Sequence, residues 1–190
     1  MNYIKILLIG TLILLSGCTI THTYGPYEGN VVDKDTGEPI EGAVVFIKFS
    51  VDGLGGASAF VDAVEVMTNE KGEFNIPARR VYFVRPLYDT WEPGHIIIFK
   101  PGYGVYPRHR ESEPLFIPNY SIPENKDVII KLPKLETRKE RVMNAGNALS
   151  FNRSEVPYEN YKLIFEAVNQ EYRLIGSEPL PDPRKFKWSK

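Results

Sequence analysis

The spacing of apolar residues differs between two regions of the chain, which meet near residue 133. Between residues 27 and 133, short apolar runs alternate with clusters of turn-forming residues, a pattern typical of β-strands joined by turns. Between residues 134 and 176, apolar residues recur every three or four positions, as on one face of an α-helix. The pattern therefore predicts a mainly β domain, a sandwich, followed by two C-terminal α-helices.

The predicted strands are short and bounded by turn residues. Residues 43–49 form the clearest strand, because the run is β-branched and aromatic and too closely flanked by glycine for a helix. Residues 63–68 and 73–76 form a hairpin, since the turn between them includes Gly72, which can adopt a positive φ. The other predicted strands cover residues 27–32, 81–84, 95–100 and 127–132.

Two amphipathic segments follow the strands. In the first, one helical face carries Leu135, Val142, Ala145 and Leu149. The second has apolar residues at helical spacing between Pro157 and Gly176, which predicts a helix of about five turns. Large exposed apolar patches are rare on monomers, so we expect both helices to pack on the sandwich or on each other. Docking of the second helix on a partner is the alternative, and residues 177–190 are expected to be a flexible tail.

Charge and cysteine content narrow the function classes. The 23 Lys and Arg residues nearly balance the 24 Asp and Glu residues, so the chain lacks the positive field that nucleic-acid binding requires. Its single cysteine excludes a disulfide within the chain, a thiolate zinc site and a Cys-x-x-Cys redox pair. The one cysteine needs an explanation of its own.

The N-terminal residues supply that explanation. Lys5 is followed by an apolar run over residues 6–15, which is too short to cross a bilayer core of about 30 Å as a helix. The run ends in Leu15, Ser16, Gly17 and Cys18, and these four residues resemble the lipobox of bacterial lipoproteins. An ordinary secretory signal with a chance cysteine is the alternative.

The lipobox resemblance implies a processed and lipidated protein. Residues 1–17 would be the signal peptide, and Cys18 would receive diacylglycerol on its thiol and an acyl chain on its new amino group. Several chains on one residue give firm anchoring to the lipid bilayer. Thr19 stands where an Asp would retain the protein in the inner membrane, so the resemblance implies the outer membrane, facing the periplasm. Residues 18–26 are expected to be a short tether.

The strand region also resembles a known domain family. The residues that carry this second resemblance are Gly29, Val31, Asp33, Thr36, Gly37, Pro39, Ile40, Gly42, Ala43, Val45, the segment 68–74 and the later Lys100, Pro101, Gly102 and Tyr103. They are similar to the carboxypeptidase regulatory-like domain. The resemblance covers residues 27–133 and implies a prealbumin-like, antiparallel Greek-key β-sandwich of about seven strands. Asp33 and Thr36 would bond turn amides and Gly37 would take a left-handed conformation, which are structural rather than catalytic roles.

Long connections distinguish this sequence from that family. Residues 52–59 insert a glycine-rich, apolar loop, and the connections at 88–94 and 106–123 are longer than compact hairpins need. Aromatic faces can stack on flat ligands, so Trp91, Tyr88 and Tyr106 are the candidate ligand-binding residues. The alternative is that these aromatic residues belong to the core.

No catalytic or metal-binding motif stands out. His109, Glu111 and Glu113 form a local cluster that is best interpreted as a solvated loop, and no Gly-x-Ser-x-Gly motif frames a nucleophile. We therefore expect no cofactor, no metal and no enzyme activity. The leading hypothesis is a membrane-anchored envelope lipoprotein that binds or scaffolds an envelope protein or glycan. The alternatives are a carbohydrate-binding module that uses the aromatic loops and an unrecognised small hydrolase.

Replacing Cys18 with Ala or Ser tests the lipidation. Without the thiol no diacylglycerol can be attached, so the variants should lose palmitate incorporation and partition into the aqueous phase of a detergent phase separation. The wild-type chain should carry the label and enter the detergent phase. Equal labelling of wild type and variants would overturn the lipoprotein assignment.

Overall fold

A computed structural model describes residues 21–84, 88–114 and 121–185 of the chain. The strands in these ranges are β1 Thr21–Tyr24, β2 Tyr27–Asp33, β3 Val44–Gly53, β4 Ser58–Met67, β5 Glu73–Ile76, β6 Arg79–Tyr82, β7 Tyr88–Trp91, β8 His95–Phe99 and β9 Asp127–Leu132. Two α-helices follow, α1 over Arg138–Ala148 and α2 over Lys162–Leu174.

Two sheets form the body of the domain. The first has the strand order β5-β2-β9, and the second has β3 at its centre, with β4 on one side and β8 and β7 on the other. A short ribbon of β1 and β6 lies beside them. The predicted class, a mainly β sandwich followed by two helices, is confirmed.

The second sheet is buried on both faces, which explains its unbroken apolar sequence. From β3, Val45, Ile47 and Phe49 enter the core between the sheets, whereas Val44 and Phe46 pack on the opposite side against the two helices. Strands that are covered on both faces need apolar residues at successive positions. The molecule therefore has three layers, sheet, sheet and helices.

Several elements differ from the sequence predictions. Strand β2 pairs with β9 in parallel, so the sandwich is not antiparallel throughout. Residues 21–24, expected to be tether, form β1, and residues 88–91, expected to be a loop, form β7. These two strands lack apolar periodicity of their own and exist because neighbouring strands offer them hydrogen-bonding edges.

The turns expected from the sequence are present. A side-chain oxygen of Asp33 accepts hydrogen bonds from the backbone amides of Asp35, at 2.9 Å, and Thr36, at 3.1 Å. Gly37 has φ of 76°, and Gly72, in the turn between β4 and β5, has φ of 72°. Both glycines thus occupy the left-handed region that other residues rarely adopt. The hairpin predicted around Gly72 does not form, because β4 pairs with β3 and β5 pairs with β2 in the other sheet.

Helix α2 is shorter than predicted, because residues 158–160 form a 3₁₀ turn and the α-helix starts at Lys162. Its first turn is capped from the sheet. The carboxylate of Glu65 on β4 accepts hydrogen bonds from the amides of Leu163 and Ile164, each at 2.8 Å. Gly176, with φ of 67°, ends the helix as expected.

Further polar contacts hold the helices on the sandwich and on each other. The buried amide of Asn144 on α1 bonds the backbone of Val105 and Tyr103, both at 2.7 Å. Arg141 of α1 donates two hydrogen bonds of 2.7 Å to Glu171 of α2, whose side chain is fully buried. Both helices therefore pack on the domain, as expected.

Part of the segment predicted to be a flexible tail has fixed partners. The backbone amide of Leu180 donates to Oδ1 of Asn169 on α2, at 2.7 Å. Further on, the guanidinium of Arg184 lies 4.9 Å from the ring centroid of Tyr158. Residues 177–185 thus lie along the second helix.

The Arg141–Glu171 ion pair gives a test of this packing. Arg141→Ala leaves a buried carboxylate without its partner, so we expect the free energy of unfolding to fall by about 3–5 kcal/mol. Urea denaturation measures the change. The matched control is Lys162→Ala, which breaks the exposed Lys162–Glu166 pair and should cost at most about 0.5 kcal/mol. Equal losses in the two variants would contradict the assigned role of the buried pair.

Candidate binding pocket

The helix-covered face of β3 changes from apolar to polar at Lys48. Alternate residues of a strand share one face, so Val44 and Phe46 are followed on that face by Lys48, Ser50 and Asp52. The first two pack against the helices. The last three line an open pocket beyond the helix layer.

The pocket has a volume of about 390 Å³. Its walls come from segments that are far apart in sequence: Glu92, Pro93 and His95 at the start of β8, Arg108 in the following loop, and Ser150, Phe151 and Asn152 after α1. The ring of Phe151 stacks on Phe46 at 4.6 Å between centroids, which fixes this wall on the sheet. The pocket is therefore built on the central strand of the domain.

The pocket is lined by two cations, Lys48 and Arg108, and by two carboxylates, Asp52 and Glu92. Burial lowers the pKa of His95 to about 4, and the positive charges of Arg108 and Lys48 act in the same direction. The imidazole is thus neutral near pH 7, and two cations lie close enough to influence it. Lys48 has no salt bridge within 4.0 Å among the described residues, so its charge is not neutralised by a contact ion pair there.

One wall of the pocket carries a buried polar atom that has no hydrogen-bond partner among the described residues. The hydroxyl of Ser150 is buried and makes no hydrogen bond to the described residues. Its backbone carbonyl, by contrast, lies 3.5 Å from Nη2 of Arg108. A buried hydroxyl of this kind can bond a group that enters the pocket.

Trp91, the first of the predicted ligand-binding residues, is used in packing. Its ring stacks on His22 at 5.2 Å and meets the rings of Tyr24 and Phe83 edge-on. Its indole nitrogen is buried. Trp91 is therefore half-buried and joins β1 to β7, with one face of its ring covered by His22.

Tyr106 and Tyr88 also differ from the exposed platform that the sequence suggested. Tyr106 is fully buried in the core between the sheets, which is a correction to its expected place on a loop surface. It is buried because residues 98 and 106 pair as a β-bridge, which turns the ring inward. The backbone of Tyr88 belongs to β7, whereas its side chain lies outside what the structure describes.

The cluster at His109, Glu111 and Glu113 is engaged in local structure. Glu113 forms salt bridges with Lys34, at 3.6 Å, and Lys131, at 3.1 Å, and its backbone pairs with Lys131. Nδ1 of His109 accepts a hydrogen bond from the amide of Glu111. Within the described ranges, no three His, Cys, Asp or Glu residues are grouped so that they could hold a metal ion.

The pocket was missed in the sequence because its parts are distant. Residues 48, 92, 95, 108 and 150 approach one another only after β3 and β8 pair and α1 folds onto them. One local signal was available. Lys48, Ser50 and Asp52 are polar at alternate positions of an otherwise apolar strand, which marks a face without an apolar cover.

The lipobox residues Leu15, Ser16, Gly17 and Cys18 lie outside the described residues. The first described strand begins at Thr21, three positions after Cys18. In the part of the chain that the structure covers, none of the helices has the length and apolar character needed to cross a membrane.

Comparisons with known proteins give little further information. No protein-family model and no curated protein sequence matches the chain. Among solved structures, an alternative pilotin from the type II secretion system of Vibrio cholerae aligns with 62% of this chain and 99% of its own, at 16% sequence identity and a TM-score of 0.30. A TM-score this low supports no transfer of fold or function.

The electrostatics of the pocket predict how His95 titrates. Its NMR resonances should move with a midpoint near pH 4, and Lys48→Met should raise that pKa, while burial still holds it below 6.5. Because the folded state has the lower pKa, unfolding takes up a proton between about pH 6.5 and 4, and stability should fall as the pH drops through this window. Lys162→Met, which removes an exposed cation that does not line the pocket, serves as the control. A wild-type midpoint at 6.5 would contradict the cationic, buried setting.

Proposed function

We propose that this protein is a bacterial envelope lipoprotein, anchored through Cys18, whose domain binds a ligand rather than transforming one. The observation that carries the binding role is the pocket on the outer face of β3, where Lys48 and Arg108 lie close enough to a neutral His95 to lower its pKa. Concave sites in which several polar groups converge are typical places for a ligand to bind. The resemblance of residues 27–133 to the carboxypeptidase regulatory-like domain accords with a non-catalytic module.

The arrangement in the pocket argues against a hydrolase, even though serine, histidine and carboxylate residues all line it. In a Ser-His-Asp triad, the serine hydroxyl bonds the imidazole, and a carboxylate beside the ring stabilises its protonated form. The Ser150 hydroxyl makes no such bond to a described residue, and the charges of Arg108 and Lys48 lower the pKa of His95. A base with a pKa of about 4 is poorly matched to proton transfer at neutral pH.

The aromatic glycan-binding alternative loses its main support. That hypothesis needs exposed, coplanar rings, whereas Trp91 is stacked against His22 and Tyr106 is fully buried. The polar pocket offers a different kind of recognition, through charge and hydrogen bonds. We therefore propose an acidic group, carboxylate or phosphate, on an envelope protein or another envelope component as the feature that the pocket binds.

The proposed anchoring rests on the lipobox and on the short segment that joins Cys18 to the first strand. Only Thr19 and Ile20 separate Cys18 from the first strand, so an acylated Cys18 would keep the domain close to the bilayer. The outer membrane, with the domain in the periplasm, is the proposed address because Thr19 replaces the retention Asp. Scaffolding at this surface needs no catalytic group.

Titration with inorganic phosphate tests the pocket directly. In lipidated protein held in nonionic detergent micelles, phosphate should shift the His95 resonances and raise the His95 pKa, because a bound anion favours the imidazolium. The double variant Lys48→Met, Arg108→Met should bind at least about tenfold more weakly, since its two cations supply the attraction.

The control for this titration is Lys162→Met, which removes an exposed cation from α2 and should leave phosphate binding unchanged. Chloride at matched ionic strength corrects for screening. Shifts of equal size in wild type and the double variant, or no shift at His95 in any protein, would refute the assignment of the pocket as an acidic-group site.

A further inference from the structure

The three most exposed of the large apolar side chains that the structure describes are Val84, Leu54 and Tyr82, at 76%, 75% and 66% of their full accessibility. Leu54 occupies the turn between β3 and β4, whereas Tyr82 ends β6 and Val84 follows it. They are about thirty residues apart in sequence. Scattered apolar residues are ordinary on a surface, but a group of them at one place marks a contact site.

Strand contacts show that all three side chains lie toward the same end of the sandwich. Tyr24 of β1 stacks on Phe49 at 4.2 Å, and His22 stacks on Trp91, which pairs with Val51. The direction along β1 from Tyr24 to Thr21 is therefore the same as the direction along β3 from Phe49 to the tip at Leu54. Tyr82 pairs with Thr21, so Tyr82 and Val84 lie toward that tip as well.

The tip, which is the turn between β3 and β4, projects from the sandwich. Gly55 and Gly56 have φ of 79° and 76°, conformations that glycine adopts without strain. Among the described residues, no atoms outside the immediate chain neighbours lie within 4 Å of the Cβ position of either glycine. The glycines make a narrow turn that holds Leu54 out into open space. This is the glycine-rich insertion at residues 52–59 that the sequence left without a role.

This end also carries the connection to the proposed lipid anchor. Cys18 precedes Thr21 by three residues, so their Cα atoms are at most about 11 Å apart whatever the path of the chain. Directly paired residues of antiparallel strands have Cα atoms about 5 Å apart. Tyr82 therefore lies within about 16 Å of the cysteine whose acyl chains would enter the bilayer.

We propose that this end of the sandwich, Leu54, Tyr82 and Val84, inserts into the headgroup region of the bilayer and fixes the orientation of the anchored domain. The inference rests on the proposed anchoring through Cys18. The headgroup region is about 5–8 Å deep on each side of the hydrocarbon core, a depth that side chains can reach. Tyrosine is enriched at this level of a membrane.

Arg80, the cation beside Tyr82, indicates which class of lipid this surface would contact. The guanidinium of Arg80 lies 5.7 Å from the Tyr82 ring centroid, and Arg80 is exposed. Basic groups near a membrane surface are attracted by anionic lipids. The proposed occupant of this surface is therefore a bilayer that contains anionic phospholipid.

The single cysteine makes a labelling experiment possible. Because acylation blocks the thiol of Cys18, a cysteine introduced by Leu54→Cys or Val84→Cys would be the one free thiol and can carry a polarity-sensitive fluorophore. The lipidated proteins are reconstituted in vesicles of phosphatidylcholine and phosphatidylglycerol, with and without nitroxide-labelled lipid. We expect blue-shifted emission and at least about twofold quenching by the nitroxide lipid at positions 54 and 84.

The matched control is Met67→Cys. Met67 is 57% exposed and ends β4, nine residues from its start beside the tip, so the strand places it about 30 Å from Leu54. Its probe should give the emission of a water-exposed dye and no quenching. Quenching at position 67 equal to that at positions 54 and 84 would overturn the proposed orientation.

Vesicle flotation separates this inference from the proposed anchoring. If the labelled proteins do not float with vesicles, the anchoring has failed. If they float but the probes at 54 and 84 remain unquenched, anchoring stands and the membrane contact is wrong. A third outcome is blue-shifted emission that increases with protein density and does not change with nitroxide lipid. It would show that a second copy of the chain covers this surface, and it would also refute lipid contact.

Discussion

Burial of β3 on both faces is the constraint on which the rest of the structure depends. A strand whose successive residues are all apolar cannot leave either side open to water, so Val45 and Ile47 require the first sheet, and Val44 and Phe46 require the helices. β8 is buried in the same way and strengthens the requirement. The C-terminal helices are consequently part of the core of the domain, not an appendage to a finished sandwich.

The pocket follows from the same strand at the point where its outer cover ends. Alternate positions change from apolar to polar between Phe46 and Lys48, and the helix layer stops there. Polar side chains on a central strand are then held by a rigid sheet rather than by loops. This rigidity suits binding, since a preformed site loses little conformational entropy when a ligand enters.

The sequence predicted most of what local periodicity can encode. The buried runs at 43–49 and 95–100, the turn at Gly72 and both helices were recognisable, because each is specified by its own residues. The prediction that the strands beside this turn pair as a hairpin was wrong, since β4 pairs with β3 and β5 pairs with β2. Strand β1 was not, since Thr21–Tyr24 is polar apart from its last residue and exists through pairing with β6. Likewise, burial of Tyr106 and stacking of Trp91 depend on distant partners, as does a pocket assembled from Lys48, His95, Arg108 and Ser150.

The cap that Glu65 places on α2 joins β4 to the second helix, so it can form only after that helix has been made. Until Leu163 and Ile164 arrive, the carboxylate has no amides to bind, and Phe46, Ile97 and Phe99 lack part of their cover. A chain that ended before residue 162 would leave this apolar surface exposed to the proteases and chaperones of its compartment. Helix α2 therefore closes the outer face of the second sheet, and a chain without it would be recognised as unfolded.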